Sequence, residues 1–486
     1  MTTLALDQGT TSTRAILVDD AGRLSTLLAL PHRQHYPRAG WVEHDPEELV
    51  ANLCACLEAA GAVGDLAAVG LDNQGESCLA WDAATGAAVS PVIVWQDDRT
   101  RAETERLRAD GAEDLVRRRA GLPLDPYFSA SKLGWLVREN PEARRLAAAG
   151  RLRLGTTEAF FRDRLTGRFE TDVTTASRTS LMNLSTCAWD EELCRLFGVP
   201  IEALPAIGAS TGDFGGLGCG GRTVPLTASL VDQQASLYGH GCRVAGDAKI
   251  TFGTGAFALA VVDRLEEAAD DGPLPTIAWQ KHGEAPAYAL DGGVYCASSA
   301  VVWARELGLF ADFAAIDDFA GAPAIGRGLA FVPALAGLAC PQWDRRARGA
   351  WLGMSLDTAP ADLVQALLEG VALRTAQVVA AVEARQPLAA TISIDGGMTA
   401  NRYFCQFLAD ALGRELIVSA EPELTAIGAA ALAAEAVGRP FRFARAGRRI
   451  APRPLPARDH AVFAAACAAV QSFGTAAAST GEAAQG

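Results

Sequence analysis

The chain has 486 residues, 50% hydrophobic and 21% charged, more than one hydrophobic core supports, so two folded domains with little disorder are expected. A net charge of -14 leaves no footprint for nucleic acid or an anionic membrane, and an odd number of cysteines, eleven, scattered without a CxxC pair, predicts reduced thiols and neither a disulfide framework nor a thiolate metal site. No uninterrupted apolar run reaches the roughly 18 residues needed to span a bilayer, and the N-terminus enters a strand at once, so no membrane span and a cytoplasmic location are expected.

The first predicted strand ends at Leu6-Asp7, and Gln8-Gly9-Thr10-Thr11-Ser12-Thr13-Arg14 turns directly into a second. Backbone N–H groups and small hydroxyls converge in such a turn and can hold phosphate, while Asp7 at the strand end can hold Mg²⁺ through water. No Walker-type Gly-Lys-Ser/Thr follows, and alone such a turn is most often an ordinary hairpin whose Asp satisfies local N–H groups. Ala67-Val69-Leu71 predicts a strand ending at Asn73-Gln74-Gly75-Glu76, and Val92-Ile93-Val94-Trp95 another ending at Gln96-Asp97-Asp98-Arg99. Polar residues at strand ends can line a cleft. Helices are expected over Ser131 to Arg138 and Glu158 to Thr166, a loop over the Gly-rich run Gly208 to Gly221, and a strand over Leu226 to Val231. Asp232 then opens a helical run from Gln233 to Tyr238, and the first domain closes near Gly239 to Gly246.

The second half repeats the opening pattern. Lys249 to Phe252 reads as a strand, Gly253-Thr254-Gly255 as a turn and Phe257 to Val262 as a returning strand. Two phosphate hairpins, one opening each half, predict two similar lobes around one nucleotide, by analogy with the plan of actin and the sugar kinases. Thr358 and Pro360 precede a periodic apolar face through Leu363, Leu367 and Val371, a helix that stops before Pro387. A strand at Ile392 to Ile394, the turn Asp395-Gly396-Gly397, a helix from Asn401 to Leu412, a strand at Leu416 to Val418 and an Ala-rich helix from Thr425 to Val437 complete an α/β alternation. Residues beyond about Gly474 offer little to bury and are expected to form a loose tail.

From Asp7 to about Gly438 the chain resembles the FGGY carbohydrate kinase family, most closely its glycerol kinases. Asp7 to Arg14, Gly40 to Pro46, Pro126 to Ser129, Ala176-Ser177-Arg178-Thr179, Asp232-Gln233-Gln234, Phe252 to Gly255, Trp343-Asp344 with Ala347-Arg348-Gly349, and Asp395 through Asn401 carry the resemblance in order. It implies an α/β fold of two actin-like (ribonuclease H-like) lobes, residues 1–241 and 242–486, with a nucleotide and substrate cleft between them. It also implies ATP with Mg²⁺ and phosphoryl transfer to a small polyol or sugar hydroxyl. Such transfer needs positioning, charge stabilisation and a carboxylate to receive the hydroxyl proton. Asp232 matches the family's base; from position alone it reads first as a helix-capping Asp, and the helix dipole is expected to keep it ionised.

The resemblance further assigns Glu76, Trp95, Tyr127, Asp232 and Gln233 to the polyol site, with Phe257 as another wall. Carboxylate and amide groups suit vicinal hydroxyls, and aromatic faces suit the carbon chain, although each aromatic taken singly reads as core. Thr10, Thr11, Ser12 and Arg14 from the first lobe and Thr254 from the second are implied around the terminal phosphates, Asp7 at the metal, and Gly397 and Asn401 at the adenosine. Departures stand beside these matches. Ser298 and Val302 replace the more usual Gly and Gln, which unsettles the nucleotide preference. Gly75 stands where glycerol kinases carry Arg, which predicts a lost guanidinium contact and spare room, and Asp98 replaces a basic residue, which predicts a more acidic rim. Glycerol is the expected substrate, with a longer polyol or a ketose (erythritol, threitol, xylitol, a ketopentose) as the alternative. A non-enzymatic actin-like nucleotide switch is the alternative of another class, and homo-oligomerisation is left open.

Overall fold

A computed structural model describes residues 2–483 except 270, 442, 444 and 445, with side chains described to residue 477. Two sheets carry the molecule. In the first, Leu24–Pro31, Ser12–Asp19 and Thr2–Gln8 form an antiparallel meander, Leu66–Asn73 and Arg222–Val231 continue it in parallel, and Gly216–Cys219 closes the far edge. Burial tracks position in the sheet: Thr2–Gln8 is buried on both faces, Ser12–Asp19 alternates, and the edge strand Leu24–Pro31 is largely exposed. The second sheet repeats the arrangement. Ala287–Val294, Ala256–Val262 and Ala248–Phe252 form the meander, Thr391–Asp395 and Glu415–Ser419 run parallel to it, and Leu274–Trp279 and Gly447–Ile450 lie at the edges. The chain therefore has the two-lobe actin-like α/β fold, with a turn between the first two meander strands of each lobe.

Several elements differ from expectation for local reasons. The Gly-rich run contains the strand Gly216–Cys219, paired from Gly216↔Pro225 to Cys219↔Arg222, because glycines carry no side-chain alternation to announce a strand. Only Val92–Ile93 of the Val92 to Trp95 run is strand, in a small four-stranded sheet, and the chain turns at Trp95. Pro360–Glu383 begins behind Ala359, whose N–H donates to the Asp362 carboxylate at 2.8 Å, while Thr358 Oγ1 accepts the Ser355 N–H. The expected loose tail is instead the last part of the helix Ala457–Ala483, anchored in the second lobe's core by Phe463, Ala466, Cys467 and Val470; residues 484–486 lie outside the described residues. By length and composition both this helix, over Ala457–Ala477, and Pro360–Glu383 are apolar enough to cross a membrane, beyond what uninterrupted runs indicated. Pro360–Glu383 is a core helix whose polar Gln365, Glu369 and Arg374 are buried and hydrogen-bonded inside the lobe.

The lobes meet through two crossed helices. Asp232–Gly239 follows the first sheet, and Leu424–Ala436, from the second half of the chain, lies on that first sheet, where Ala426 and Ala430 pack against Ala5, Ile16 and Val18. The backbones touch: a Cβ at Gly239 would sit 1.8 Å from the Leu424 carbonyl oxygen, and one at Gly428 1.8 Å from that of Ala235. Only glycine permits this approach.

Candidate functional site

The first turn lies between the ends of Thr2–Gln8 and Ser12–Asp19, where the Gly9 N–H donates to Ser12 O at 3.0 Å and the Gln8 amide to Gly9 O at 2.8 Å. Thr10 faces the cleft, and its hydroxyl accepts the Trp95 indole N–H at 3.0 Å, so the turn is tied to an aromatic wall. Thr11 is exposed and Ser12 half-buried, and neither lines the cavity. Arg14, expected at the phosphates, is held between two carboxylates: it pairs with Asp7 and, at 2.6 Å, with Glu423 at the start of the Leu424–Ala436 helix.

A cavity of about 510 Å³ opens from this turn between the lobes. Glu76, Trp95, Tyr127, Asp232, Gln233, Thr254 and Phe257, scattered over the sequence, all line it. The rings of Trp95 and Tyr127 meet edge to face at 5.6 Å. Glu76 has φ 59°, an uncommon conformation for a non-glycine, held by Ser129 Oγ donating to its carbonyl at 2.9 Å. A guanidinium reaches Glu76 from another element. Arg178, at the C-terminus of the short helix Val173–Ser177, donates to Glu76 Oε1 at 2.7 Å and pairs with Asp291 of the second lobe at 3.0 Å. Burial opposes its charge, but Glu76 and Asp291 outweigh that and raise its pKa; burial in turn pushes Glu76 and Tyr127 up. Asp98 does not sharpen an acidic rim, because its carboxylate is taken up by Arg101. At the mouth, Arg345 grips Asp125 across the lobes at 2.8 and 2.9 Å.

Asp232 is the first residue of its helix, and its Oδ1 accepts the Gln233 N–H at 2.6 Å. Burial opposes the ionised form that the helix start favours. Burial, then the nearby Glu76 and Asp7 carboxylates, push its pKa to about 7, against the weaker pull of the Gln233 N–H and Lys249. Behind it lies Asp72, which sequence reasoning missed although it directly precedes Asn73. It pairs in register with Asp7, is fully buried with no donor to its carboxylate, and burial beside Asp7 and Asp232 raises its pKa. Among the described residues no group of three His, Cys, Asp or Glu is arranged to hold a metal unaided.

The second turn carries Thr254, whose carbonyl accepts the Ala297 N–H at 2.9 Å and the Ser299 hydroxyl at 2.9 Å. The helix Ser298–Glu306 therefore starts against this turn, with Ser298 Oγ donating to Gly253 O at 2.6 Å. Its first two residues face different spaces: Ser299 lines the polyol-side cavity, and Ser298 a second cavity of about 750 Å³. Gly397 and Asn401 line that second cavity with Val301, Val302, Phe313, Ile316, Leu368 and Met398. Gly396, before it, has φ 94° and presses its Cα against the Phe252 backbone, a place only glycine fills. The Asn401 amide is already engaged: Nδ2 donates to Ile316 O at 2.6 Å and Oδ1 caps the next helix through the Phe404 N–H at 2.7 Å.

Family models described as the N-terminal and C-terminal domains of the FGGY family of carbohydrate kinases match residues 2–239 and 248–437. The chain is 41% identical over 446 residues to a glycerol kinase of Citrifermentans bemidjiense, covering 90% of each chain. It is 42% identical over 469 residues to one of Methylobacterium nodulans, covering 92% of this chain and 93% of the relative. A solved glycerol kinase of Plasmodium falciparum with ADP superposes with a TM-score of 0.88 at 28% identity, over 96% of this chain and 98% of that one.

Proposed function

The chain belongs to the FGGY family of carbohydrate kinases and is an ATP-dependent carbohydrate or polyol kinase, and on that premise we propose that it phosphorylates glycerol to glycerol 3-phosphate with Asp232 as general base. One observation carries this reading: the acid pair Glu76 and Asp291, joined by Arg178, shares a closed-in aromatic cavity with Asp232 and with a turn from each lobe. A small polyol offers only hydroxyls and a short carbon chain, and this lining answers both, with fixed acceptors and donors at one end and the Trp95, Tyr127 and Phe257 rings around the carbons.

In this reading the nucleoside lies in the second cavity against Gly397 and Asn401, and the phosphates pass the start of the Ser298–Glu306 helix to the Thr10 and Thr254 turns. Thr11, Ser12 and Arg14 support the first turn, Arg14 by fixing Asp7 against Glu423. Asp7 and the donor-poor Asp72 would hold Mg²⁺ through water, a set suited to an ion that arrives on phosphate and keeps most of its own shell. Held there with ATP, Mg²⁺ would supply charge neutralisation for the phosphates. Asp232 takes the proton of the polyol hydroxyl as its oxygen bonds to the γ-phosphorus and ADP departs; the buried cavity walls keep water from that position.

A longer polyol or a ketose is the second reading, favoured by Gly75. A Cβ there would meet only Val231 methyls, at 3.2 and 3.8 Å, so this side of the cavity keeps room for extra substrate atoms. Measuring ADP release with glycerol, dihydroxyacetone, erythritol, threitol, xylitol and ketoses decides between them. The highest kcat/KM with glycerol supports the first reading, a four- or five-carbon preference replaces it with the second, and ATP turnover indifferent to every polyol overturns both.

A further inference from the structure

Lys249 is a buried charged group beside the cleft that the reaction above does not use. It projects from the second-lobe strand Ala248–Phe252 and is fully buried. An ammonium taken out of water costs several kcal/mol unless it is compensated. Its hydrogen bonds go to neutral atoms, Gln233 Oε1 at 2.7 Å and Thr251 Oγ1 at 2.9 Å. The compensating charges are the carboxylates of Asp395, Asp232 and Asp291, which oppose the depression of its pKa by burial. Asp395, the largest of these, also lies 3.3 Å from His240.

Chemistry fixes what this contact does to Gln233. An ammonium has three donors and no acceptor, so only the carbonyl end of the amide can face it. The two ends of an amide point to opposite sides of Cδ, so the Gln233 NH₂ is turned away from Lys249, and Gln233 lines the cavity. A polyol oxygen that accepts from that NH₂ keeps its own proton free. The next residue in the chain is the carboxylate of Asp232.

We propose that Lys249 is a positioning residue for the transfer step: it locks Gln233 with its N–H donors toward the polyol hydroxyl that is presented to Asp232. The inference rests on Asp232 being the base.

The test compares Lys249→Met, Lys249→Arg, Gln233→Glu and Asp232→Asn with the parent enzyme, using the best substrate of the polyol panel. In Lys249→Met the Gln233 amide loses its anchor, and kcat/KM for the polyol should fall about tenfold, the order of one charge-assisted hydrogen bond. The KM for ATP should stay unchanged, and Lys249→Arg should restore most of the loss. Gln233→Glu keeps an oxygen for Lys249 but has no donor for the polyol, so it should lose activity as well. This variant keeps the test open if Lys249→Met melts early. An unchanged kcat/KM for the polyol in a folded Lys249→Met, or full activity in Gln233→Glu, overturns the inference while an inactive Asp232→Asn leaves the base assignment standing. Near-parental turnover in Asp232→Asn overturns the assignment itself.

Discussion

At the polyol end of the cleft, Glu76, Arg178, Asp291, Asp232 and Lys249 lie buried or nearly so, each charge facing an opposite one from another element. At the nucleoside end, Val301, Val302, Phe313, Ile316, Leu368 and Met398 make an apolar wall, and the polar atoms of Ser298 and Asn401 are already bonded to backbone. Desolvated charges discriminate sharply, because a ligand that leaves one unpaired forfeits its compensation, whereas an apolar wall binds through area and tolerates variation. The reaction's selectivity should therefore reside at the polyol end. Each substitution below either breaks that contrast or sharpens it.

The largest effect is expected at the base. Asp232→Asn should lower kcat by about 10²- to 10⁴-fold while ADP still binds, measured by steady-state kinetics and calorimetry. The same residue carries a stability signature. Its pKa is raised from 3.8 to about 7 by burial, then by Glu76 and Asp7, so the protonated form is favoured in the fold. The contribution is present below the unfolded value and lost as pH rises through about 7. Above pH 7 the ionised carboxylate is a liability, so Asp232→Asn should melt higher than the parent at pH 8, by roughly 1–3 °C.

Arg178→Met comes next, because it strands both Glu76 and Asp291. Removing one partner of a buried ion pair costs about 3–5 kcal/mol, and here both stability and the KM for polyol should worsen. Arg14→Met offers the contrast: its side chain is 30% exposed, so solvent screens the loss and the melting change should be much smaller. Equal destabilisation by the two would mean that the buried charges of the polyol end are not special.

Gly75→Arg tests the spare room. The backbone at Gly75 is not in the left-handed region, and the new Cβ needs only a slight yield from Val231. Filling the space should favour glycerol over any longer substrate by about 1–3 kcal/mol in relative kcat/KM. An unchanged ranking would mean that residue 75 does not limit substrate length.

The acid limb follows. With Asp232 pushed to about 7, kcat/KM for the polyol should fall as pH drops below that value, approaching tenfold per pH unit. A flat profile between pH 5.5 and 7.5 would mean that no group titrating near 7 accepts the proton.

The sequence made the local half of this site legible. A Gly and hydroxyl turn between strands is written in consecutive residues, and so is a carboxylate at a strand end, which is why Thr10, Thr254, Asp232 and Glu76 could be named and are found around one cavity. Arg178 was visible only as part of a matching stretch. Its meaning depends on Glu76, 102 positions away, and on Asp291 in the other lobe, and no periodicity links them. Lys249 looked like one lysine in a strand, and its role appears only when Gln233 is brought to 2.7 Å. Asn401 shows a second duty that the matching stretch did not reveal: it lines the second cavity and also caps the helix that it opens. The C-terminal run lacked large apolar residues beyond Phe473 and read as tail, yet small alanines suffice to continue a helix already anchored at Phe463 and Val470.

The smallest effect is expected where the comparison is weakest, at the nucleoside wall. Val302 lies about one-third exposed beside Ser298 on the helix that separates the two cavities. Neighbouring polar groups are spent: Asn401 on Ile316 and Phe404, Ser298 on Gly253, Asp317 on Arg402. Discrimination between adenine and guanine by the parent enzyme should accordingly be modest. Val302→Gln places a free amide within this wall, where one net hydrogen bond is worth about 0.5–1.5 kcal/mol, or roughly 2- to 13-fold in affinity. The KM for ATP relative to GTP should shift within that range, in the direction set by the base the amide reaches, and polyol kinetics should not move. No shift would mean that position 302 does not reach the base. A parallel change in the KM for polyol would show that the helix start between Ser298 and Ser299 couples the two ends, and the division of labour between charged and apolar ends would fail.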